Sequence, residues 1–279
     1  MKAEPDHSAR ARPIGVFDSG IGGLTVVSAL REILPNERIF YLGDTARVPY
    51  GGKSAATVER YSLEITAMLL EEHCKTIVVA CNTASALALP RLEEMSPVPV
   101  TGVIRPGAEA AVAATRNGHI GVIGTRATIK SGAYERAIRE LDPALLVTAR
   151  ACPLFVPLIE EGWLDGEITE RVVRQYLEPL VTEGIDTLVL GCTHYPLLRR
   201  TIGRFLGDAV TLVDSAQNCA RAVMQLLDAE ALRAGENEAG NLAVALTDPP
   251  DAFLEVAQEA LQLDIGTVQL RQVIHPPRS

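Results

Sequence analysis

The chain has 279 residues, 47% hydrophobic and 22% charged, which is ordinary for a globular protein with one large or two medium α/β domains. Its net charge of -9 and aromatic content of 4% argue against nucleic-acid binding, which usually needs a basic surface and aromatic side chains that stack on bases. The five cysteines include no CxxC pair, so we expect neither disulfides nor structural zinc. No apolar run is long enough to span a membrane and residues 1–12 are too polar for a signal peptide, so we expect a cytoplasmic protein.

The first half of the chain predicts strands alternating with helices after a disordered tail at residues 1–12. A glycine-rich loop, residues 18–23, follows the first strand, and a longer loop, residues 43–52, follows the second. The first helix stops at Pro35, because proline cannot continue a helix. The predicted strands are residues 14–17, 38–42, 76–80 and 98–103, and the predicted helices are residues 24–34, 55–74 and 84–95.

The second half repeats two features of the first. Ile120-Gly121-Val122 matches Ile14-Gly15-Val16 at an offset of 106 residues, and the apolar run before Cys192 matches the run before Cys81 at an offset of 111. Two similar offsets predict an internal repeat of one α/β half. Beyond residue 214 the pattern predicts a helix over residues 216–234, a loop over residues 237–241 and a strand–helix–strand unit that ends near Val273. His275-Pro276-Pro277 is predicted to be a tail.

This alternation predicts an α/β fold of two pseudo-symmetric, doubly wound domains with mainly parallel sheets. The runs at residues 76–80 and 187–191 are branched, apolar and uncharged, which is typical of parallel strands buried on both faces. Since ligands bind at the carboxyl ends of such strands, we expect the active site in the cleft between the halves.

Two of the five cysteines, Cys81 and Cys192, stand at the ends of these strands. A free thiol with a pKa near 8.5 is only roughly 3% ionised at pH 7, and a helix amino terminus behind it would lower its pKa. We interpret Cys74, Cys152 and Cys219 as small buried hydrophobic residues.

Polar residues surround the same strand ends. His194 follows Cys192 by two residues and is the available imidazole, and Asp18 leaves the first strand toward the predicted cleft, where it could cap the next helix, orient a base or hold an ammonium group. Basic residues are scarce, with Arg47 and Lys53 nearest, so a bound carboxylate would be held by neutral donors and helix amino termini. The hydroxyl and amide side chains are Ser19, Tyr50, Asn82, Thr83, Thr125, Thr128 and Thr193.

The glycine-rich loop allows a second interpretation. Gly20–Thr25 partly matches a dinucleotide-binding fingerprint, and Asp44 follows at a plausible distance. However, Thr25 occupies the third glycine position, and Asp18 carries its charge where a pyrophosphate would approach. Nucleotide binding is therefore the weaker hypothesis.

Several segments together resemble bacterial glutamate racemases over residues 14 to about 215. They are Phe17-Asp18-Ser19-Gly20-Ile21-Gly22-Gly23-Leu24-Thr25-Val26, Arg47-Val48-Pro49-Tyr50-Gly51-Gly52-Lys53-Ser54, Val79-Ala80-Cys81-Asn82-Thr83-Ala84-Ser85, Gly124-Thr125-Arg126-Ala127-Thr128-Ile129, Cys152-Pro153-Leu154-Phe155-Val156-Pro157-Leu158-Ile159-Glu160-Glu161-Gly162 and Leu190-Gly191-Cys192-Thr193-His194-Tyr195-Pro196. The resemblance implies a cofactor-independent enzyme, without a metal, that interconverts L- and D-glutamate and supplies D-glutamate to peptidoglycan synthesis. It also implies a homodimer of two-domain subunits, the first domain being residues 1–104 and 214–279 and the second residues 105–213.

The resemblance further implies a role for each site residue. Cys81 would remove the α-proton of D-glutamate and Cys192 that of L-glutamate, while Asp18 and His194 would tune these thiols. The α-carboxylate and amine would be bound by Asn82, Thr83, Thr125 and Thr193. The side-chain carboxylate would be bound by Ser19, Tyr50 and Gly51. Pro49 and Thr128 would be further substrate-binding residues, and Glu160 would lie near His194.

Three alternatives stay open from the residues. A racemase for aspartate or another amino acid could use the same pair of thiols, although the Tyr50 loop favours glutamate. A pyridoxal enzyme would need a lysine at the site, for which Lys53 is the loop candidate. A two-lobed protein that only binds a small acid would have no need of a thiol at each strand end.

Overall fold

The computed structural model describes residues 7–236, 238–249 and 252–273, which form two parallel sheets flanked by helices. The strands are β1 (Ile14–Asp18), β2 (Ile39–Gly43), β3 (Thr76–Val79), β4 (Val100–Gly102), β5 (His119–Gly124), β6 (Leu146–Ala151), β7 (Thr187–Gly191), β8 (Thr211–Asp214), β9 (Leu242–Leu246) and β10 (Val268–Leu270). The α-helices are α1 (His7–Arg10), α2 (Leu24–Ile33), α3 (Ala55–Glu71), α4 (Asn82–Leu87), α5 (Leu89–Met95), α6 (Ile104–Ala114), α7 (Arg126–Ser131), α8 (Ala133–Leu141), α9 (Phe155–Glu160), α10 (Glu167–Thr182), α11 (Arg199–Leu206), α12 (Ser215–Ala229) and α13 (Ala252–Leu261).

The two sheets share one strand order. The first sheet has the order β10-β9-β2-β1-β3-β4 and the second has the order β6-β5-β7-β8. The segment β2-β1-β3-β4 of the first sheet therefore corresponds strand by strand to the whole second sheet. The register is also equivalent, because Ile14 of β1 pairs with Thr76 of β3 and Ile120 of β5 pairs with Thr187 of β7. The predicted repeat is therefore a real structural repeat, and the predicted α/β class with parallel sheets is confirmed.

The central strands form where the sequence is apolar on both faces. All residues of β1, β2, β3 and β7 are buried, as expected for parallel strands covered by helices on both sides. Cys74, Cys152 and Cys219 are buried in the cores around them, which confirms their interpretation as hydrophobic residues.

The first sheet takes its strands from both ends of the described chain. β9 pairs with β2 and β10 pairs with β9, so the C-terminal strands extend the sheet that β1 begins. The second sheet lies wholly within residues 119–214. This strand membership supports an inserted second domain, while the boundaries at residues 104 and 214 stay a prediction.

The structure differs from the predicted elements at three places. Residues 1–6 of the expected disordered tail lie outside the described residues, whereas residues 7–12 contain α1, and Lys75 Nζ donates a 2.7 Å hydrogen bond to the Arg10 carbonyl. The single helix expected over residues 84–95 is divided at Ala88, because Pro90 at the start of α5 lacks the N–H that a continuous helix would need. The helix expected to reach residue 234 ends at Ala229, and Ala231 then adopts a positive φ of 55°.

Within the described residues no helix is both long and apolar enough to cross a membrane. The predicted C-terminal tail, His275-Pro276-Pro277, lies outside the described residues, as does Asn237 at the start of a predicted loop.

Candidate active site

A cavity of about 260 Å³ lies where the carboxyl ends of the two sheets face each other. All the predicted site residues except Asp18 and Thr128 line it. Larger cavities lie elsewhere on the described part of the chain. Two of them, of about 550 and 470 Å³, lie near the amino ends of β1 and β2, where parallel sheets do not bind their ligands, and two others, of about 450 and 320 Å³, contain neither Cys81 nor Cys192. The lining residues are Ser19, Val48, Pro49, Tyr50, Gly51, Gly52, Cys81, Asn82, Thr83, Thr125, Arg126, Pro153, Val156, Pro157, Glu160, Cys192, Thr193, His194 and Tyr195.

Cys192 is paired with an imidazole. Its Sγ lies 3.9 Å from His194 Nδ1, and His194 Nε2 lies 3.2 Å from Glu160 Oε1. Burial alone would lower the pKa of His194, but the hydrogen bonds to Cys192 and Glu160 outweigh it and raise this pKa to about 10. His194 is therefore an imidazolium at neutral pH, held between one sulfur and one carboxylate.

Cys81 has the opposite environment. It caps α4, with its Sγ accepting a 3.5 Å hydrogen bond from the Ala84 N–H. Burial, followed by the charge of Asp18, raises the pKa of Cys81 to about 12, and the bonds from Ala84 and the Ser19 hydroxyl offset this only in part. The Ala84 N–H at the amino terminus of α4 lowers the pKa of Cys81, as predicted, but burial outweighs this effect and the net pKa is raised.

Asp18 lies behind the cavity wall and is fully buried. Its Oδ2 accepts a 3.1 Å hydrogen bond from the Gly20 N–H, and its Oδ1 accepts a 3.4 Å bond from the Thr193 hydroxyl. Burial raises the pKa of Asp18, while the charge of His194 acts against the rise. Asp18 thus connects the loop after β1 to the loop after β7.

The glycine-rich loop is explained by close contacts rather than by a nucleotide. A Cβ at Gly22 would lie 2.5 Å from His194 Nδ1 and 2.7 Å from Thr193 Oγ1, and one at Gly23 would lie 2.5 Å from the Asp18 Cβ. Gly22 lets the first loop approach the second cysteine loop closely, and Gly23 lets the same loop pack against Asp18. The dinucleotide interpretation loses its support, because the glycines already have this packing role.

Three threonines join the two halves of the molecule at the cavity. Thr83 at the start of α4 lies 3.0 Å from Thr125 and 3.1 Å from Thr128, measured between hydroxyl oxygens, and Thr125 lies 3.0 Å from Thr128. Thr128 is behind the wall and holds Thr83 and Thr125 in place. Their hydroxyls are grouped as donors for an anion.

A buried charged network supports Tyr50. The Tyr50 hydroxyl donates a 2.5 Å hydrogen bond to Asp44 Oδ2, which also accepts from Arg47 Nε at 2.7 Å, and Arg47 in turn contacts Glu64. With its hydroxyl bound to Asp44, Tyr50 presents its ring and backbone to the cavity.

Sequence reasoning missed several supporting residues. It treated Asp44 only as part of the nucleotide hypothesis and did not identify Tyr134, whose hydroxyl donates a 2.7 Å bond to Asn82 Oδ1. It also named Arg47 and Lys53 as the nearest cations, whereas Arg126 lines the cavity and those two do not. The position of Arg126 directly after Thr125 is the one sequence signal that could have found it.

Comparisons with known proteins agree with this geometry. The sequence profile described as Asp/Glu/Hydantoin racemase matches residues 21–223. The chain is 52% identical over 257 residues to a glutamate racemase of Geobacter metallireducens, covering 92% of this chain and 95% of that protein.

Two solved structures have the same fold. Glutamate racemase isoform RacE1 from Bacillus anthracis superposes with a TM-score of 0.90 at 41% identity, over 95% of this chain and 98% of that one. Glutamate racemase from Francisella tularensis subsp. tularensis SCHU S4, solved in complex with D-glutamate, superposes with a TM-score of 0.88 at 38% identity over the same shares. The chain therefore belongs to the Asp/Glu/hydantoin racemase family, among its glutamate racemases.

Proposed function

We propose that the cavity holds glutamate between Cys81 and Cys192 and that these thiols interconvert its enantiomers by two-base proton transfer. The observation that carries the proposal is that both sulfurs, at equivalent ends of β3 and β7, line one cavity while an imidazolium lies beside only one of them. Inversion of Cα requires a proton to leave one face and another to arrive on the opposite face, so two opposed acid–base groups suffice.

The proton transfers balance in each direction. With L-glutamate, the Cα–H bond breaks, its proton passes to the Cys192 thiolate, and its electron pair remains on Cα and the α-carboxylate. The Cys81 thiol then gives its proton to the opposite face of Cα, which forms D-glutamate and leaves Cys81 as the thiolate. With D-glutamate the two cysteines exchange roles. In either direction the substrate gives one proton to one cysteine and takes one from the other, and exchange with solvent returns the two thiols to their starting state before a second turnover in the same direction.

The charges around the two sulfurs favour starting from L-glutamate. The raised pKa of Cys81 keeps its thiol protonated at neutral pH, and the His194 imidazolium places a positive charge beside the Cys192 sulfur. Asp18 does not reach the cavity wall, so we assign it a positioning role, through Thr193, and an electrostatic role on Cys81.

Glutamate is the substrate that fits best. We place its α-carboxylate and amine on Asn82, Thr83, Thr125 and Thr193, because these donors lie beside the two sulfurs. The side-chain carboxylate would meet Ser19, Pro49, Tyr50 and Gly51, with Thr128 and Glu160 supporting the wall. The complex of the Francisella tularensis relative with D-glutamate supports this choice.

Family membership supports a wider role. We propose that the chain acts in the cytoplasm as a homodimer, that it needs no cofactor, and that it supplies D-glutamate for peptidoglycan. Sedimentation of the purified chain tests the dimer, and complementation of a D-glutamate auxotroph tests the role.

The first experiment is ¹H NMR of D- and, separately, L-glutamate in D₂O with the wild-type protein and no added cofactor. Loss of the Cα proton signal together with formation of the other enantiomer is the expected result. Cys81→Ser should catalyse α-proton exchange of L-glutamate but not of D-glutamate, and Cys192→Ser should catalyse exchange of D-glutamate but not of L-glutamate. Neither variant should racemise its substrate.

Two results would redirect the assignment. Exchange of aspartate but not glutamate by the wild-type protein would assign the thiol pair to another amino acid. Binding of glutamate without any exchange, retained when both cysteines are serine, would identify a two-lobed binding protein.

A further inference from the structure

Tyr134 connects the two cysteine loops from below the cavity. It belongs to α8 in the second half of the chain and is only 3% exposed. A Cβ at Gly107 would lie 3.3 Å from Tyr134 Cε1, and one at Gly191 would lie 3.1 Å from its Cε2. The ring is therefore held between two glycine backbones, one of which directly precedes Cys192.

The hydroxyl of this fixed ring determines how Asn82 is oriented. It donates to Asn82 Oδ1 at 2.7 Å, and the Ser215 hydroxyl is its second hydrogen-bonding neighbour. Asn82 directly follows Cys81 and is the first residue of α4. Since Oδ1 accepts from Tyr134, the amide nitrogen Nδ2, the other substituent on Cγ, points away from the Tyr134 hydroxyl.

That amide nitrogen is a buried hydrogen-bond donor without an acceptor among the described residues. Asn82 is 2% exposed and lines the cavity, and among the described residues its Nδ2 has no hydrogen-bond partner. Buried donors are almost always paired, because leaving one unpaired loses the hydrogen bond it would make with water. A carboxylate in the cavity supplies the missing acceptor.

We infer that Tyr134 is a positioning residue that fixes the Asn82 carboxamide with its NH₂ group toward the substrate carboxylate. The inference rests on the function proposed above. Without the Tyr134 hydroxyl, the carboxamide can rotate by half a turn, and its oxygen would then face the substrate carboxylate and repel it. Tyr134 also makes this binding group depend on contact between the two halves of the molecule.

Tyr134→Phe tests the inference, since it keeps the packed ring and removes the hydroxyl. We expect KM for both glutamate enantiomers to rise about tenfold, with kcat changed by less than about threefold, because the lost interaction holds ground state and transition state alike. Tyr176→Phe, a hydroxyl removal in the same half that does not touch the cavity, should leave both constants unchanged.

A double-mutant cycle separates positioning from a general structural effect. If Tyr134 acts through Asn82, Tyr134→Phe should have no further effect on KM once Asn82→Ala is present. An equal increase of KM in both backgrounds, or an unchanged KM in Tyr134→Phe, would overturn the inference.

Calorimetric binding of glutamate in the Cys81→Ser background provides a second measurement that needs no turnover. There, Tyr134→Phe should weaken the Kd about tenfold, and an unchanged Kd contradicts the inference. Absence of racemisation by the wild-type protein would instead be a failure of the proposed function, so the two failures are distinguishable.

Discussion

Single residues make the two chemically identical thiols different. Cys192 lies beside an imidazolium that Glu160 supports, whereas Cys81 lies near the buried carboxylate of Asp18. An opposite charge stabilises a thiolate and a like charge opposes it. The positive charge of His194 therefore lies beside the Cys192 sulfur, while burial and the charge of Asp18 keep Cys81 in its thiol form.

Glu160→Gln should lower the pKa of His194 from about 10 by about one pH unit or more, because a neutral amide stabilises the imidazolium less than a carboxylate does. Near pH 6.5 both proteins keep His194 largely protonated, so their activities should be most alike there. As the pH rises toward 9, the variant loses its imidazolium first, and its kcat/KM relative to wild type should fall. NMR titration of the His194 ring and pH–rate profiles measure the two effects.

Glu161→Gln is the matched control, because Glu161 is the exposed neighbour of Glu160 in the chain. It should leave both the ring titration and the pH profile unchanged. The kcat/KM of Glu160→Gln must fall equally for the two enantiomers, since they have the same free energy. An unaltered His194 titration in Glu160→Gln would contradict the assigned ion pair.

At the scale of the elements, the loop between β1 and α2 shapes the site through its backbone. It approaches the loop after β7 so closely that His194 and Thr193 occupy the space where a Gly22 side chain would be. The Thr25 hydroxyl adds a 3.1 Å hydrogen bond to the Thr193 carbonyl. The two loops therefore fit together as one unit, and the position of His194 depends on the absence of a Cβ in the other loop.

Gly22→Ala should consequently lower kcat/KM at least about tenfold, because displacing a catalytic group by about 1 Å can cost about 100-fold in rate. Steady-state kinetics, with circular dichroism to confirm the fold, measure the effect. Gly203→Ala is the control, since its added methyl group meets its nearest neighbour only at 3.9 Å. Activity of Gly22→Ala within twofold of wild type would show that the loop contact does not position His194.

At the scale of the whole molecule, a buried ion pair joins distant parts of the chain at the amino ends of the first sheet. Lys75 Nζ binds Glu37 Oε2 at 2.5 Å and the carbonyls of Arg10 and Leu232 at 2.7 and 2.8 Å. Glu37 Oε1 accepts a 2.8 Å hydrogen bond from the Ala234 N–H. One pair of charges thus fixes the N-terminal segment and the connection after α12 to the sheet that carries Cys81.

Lys75→Met should lower the free energy of unfolding by about 3 kcal/mol, because it leaves the Glu37 carboxylate buried without its cation. Adding Glu37→Gln should restore part of the loss, since it removes that charge. Urea denaturation measures both values. KM and kcat should stay close to wild type, because the pair lies at the far end of the sheet from the cavity.

The exposed pair of Arg105 and Glu109 is the control for Lys75→Met. Arg105→Met should cost less than about 1 kcal/mol, as is usual for ion pairs in solvent. Equal losses from Arg105→Met and Lys75→Met would mean that the buried pair has no special role.

The sequence by itself determined the central strands of both sheets and the positions of both thiols, but not the strands at residues 146–151 and 211–214. An uncharged apolar run such as residues 76–80 is typical of a parallel strand that helices cover on both faces. Such a run consists of adjacent residues, so it can be recognised from the local sequence alone. The repeated Ile-Gly-Val motif and the two cysteine runs then located the equivalent halves, and with them the edge at which Cys81 and Cys192 meet. The division of one predicted helix at Ala88 was also within reach, since Pro90 marks it.

Only the tertiary structure decided the surroundings of the two thiols and the orientation of the Asn82 carboxamide. The pKa of a thiol depends on its burial and on charges that the fold brings close, and Glu160 is 34 residues away from the histidine it supports. Tyr134 is 52 residues from Asn82 and reaches it from the other half of the molecule. Hydrogen bonds over such separations leave no periodic trace in a sequence, because their partners are chosen by packing in three dimensions.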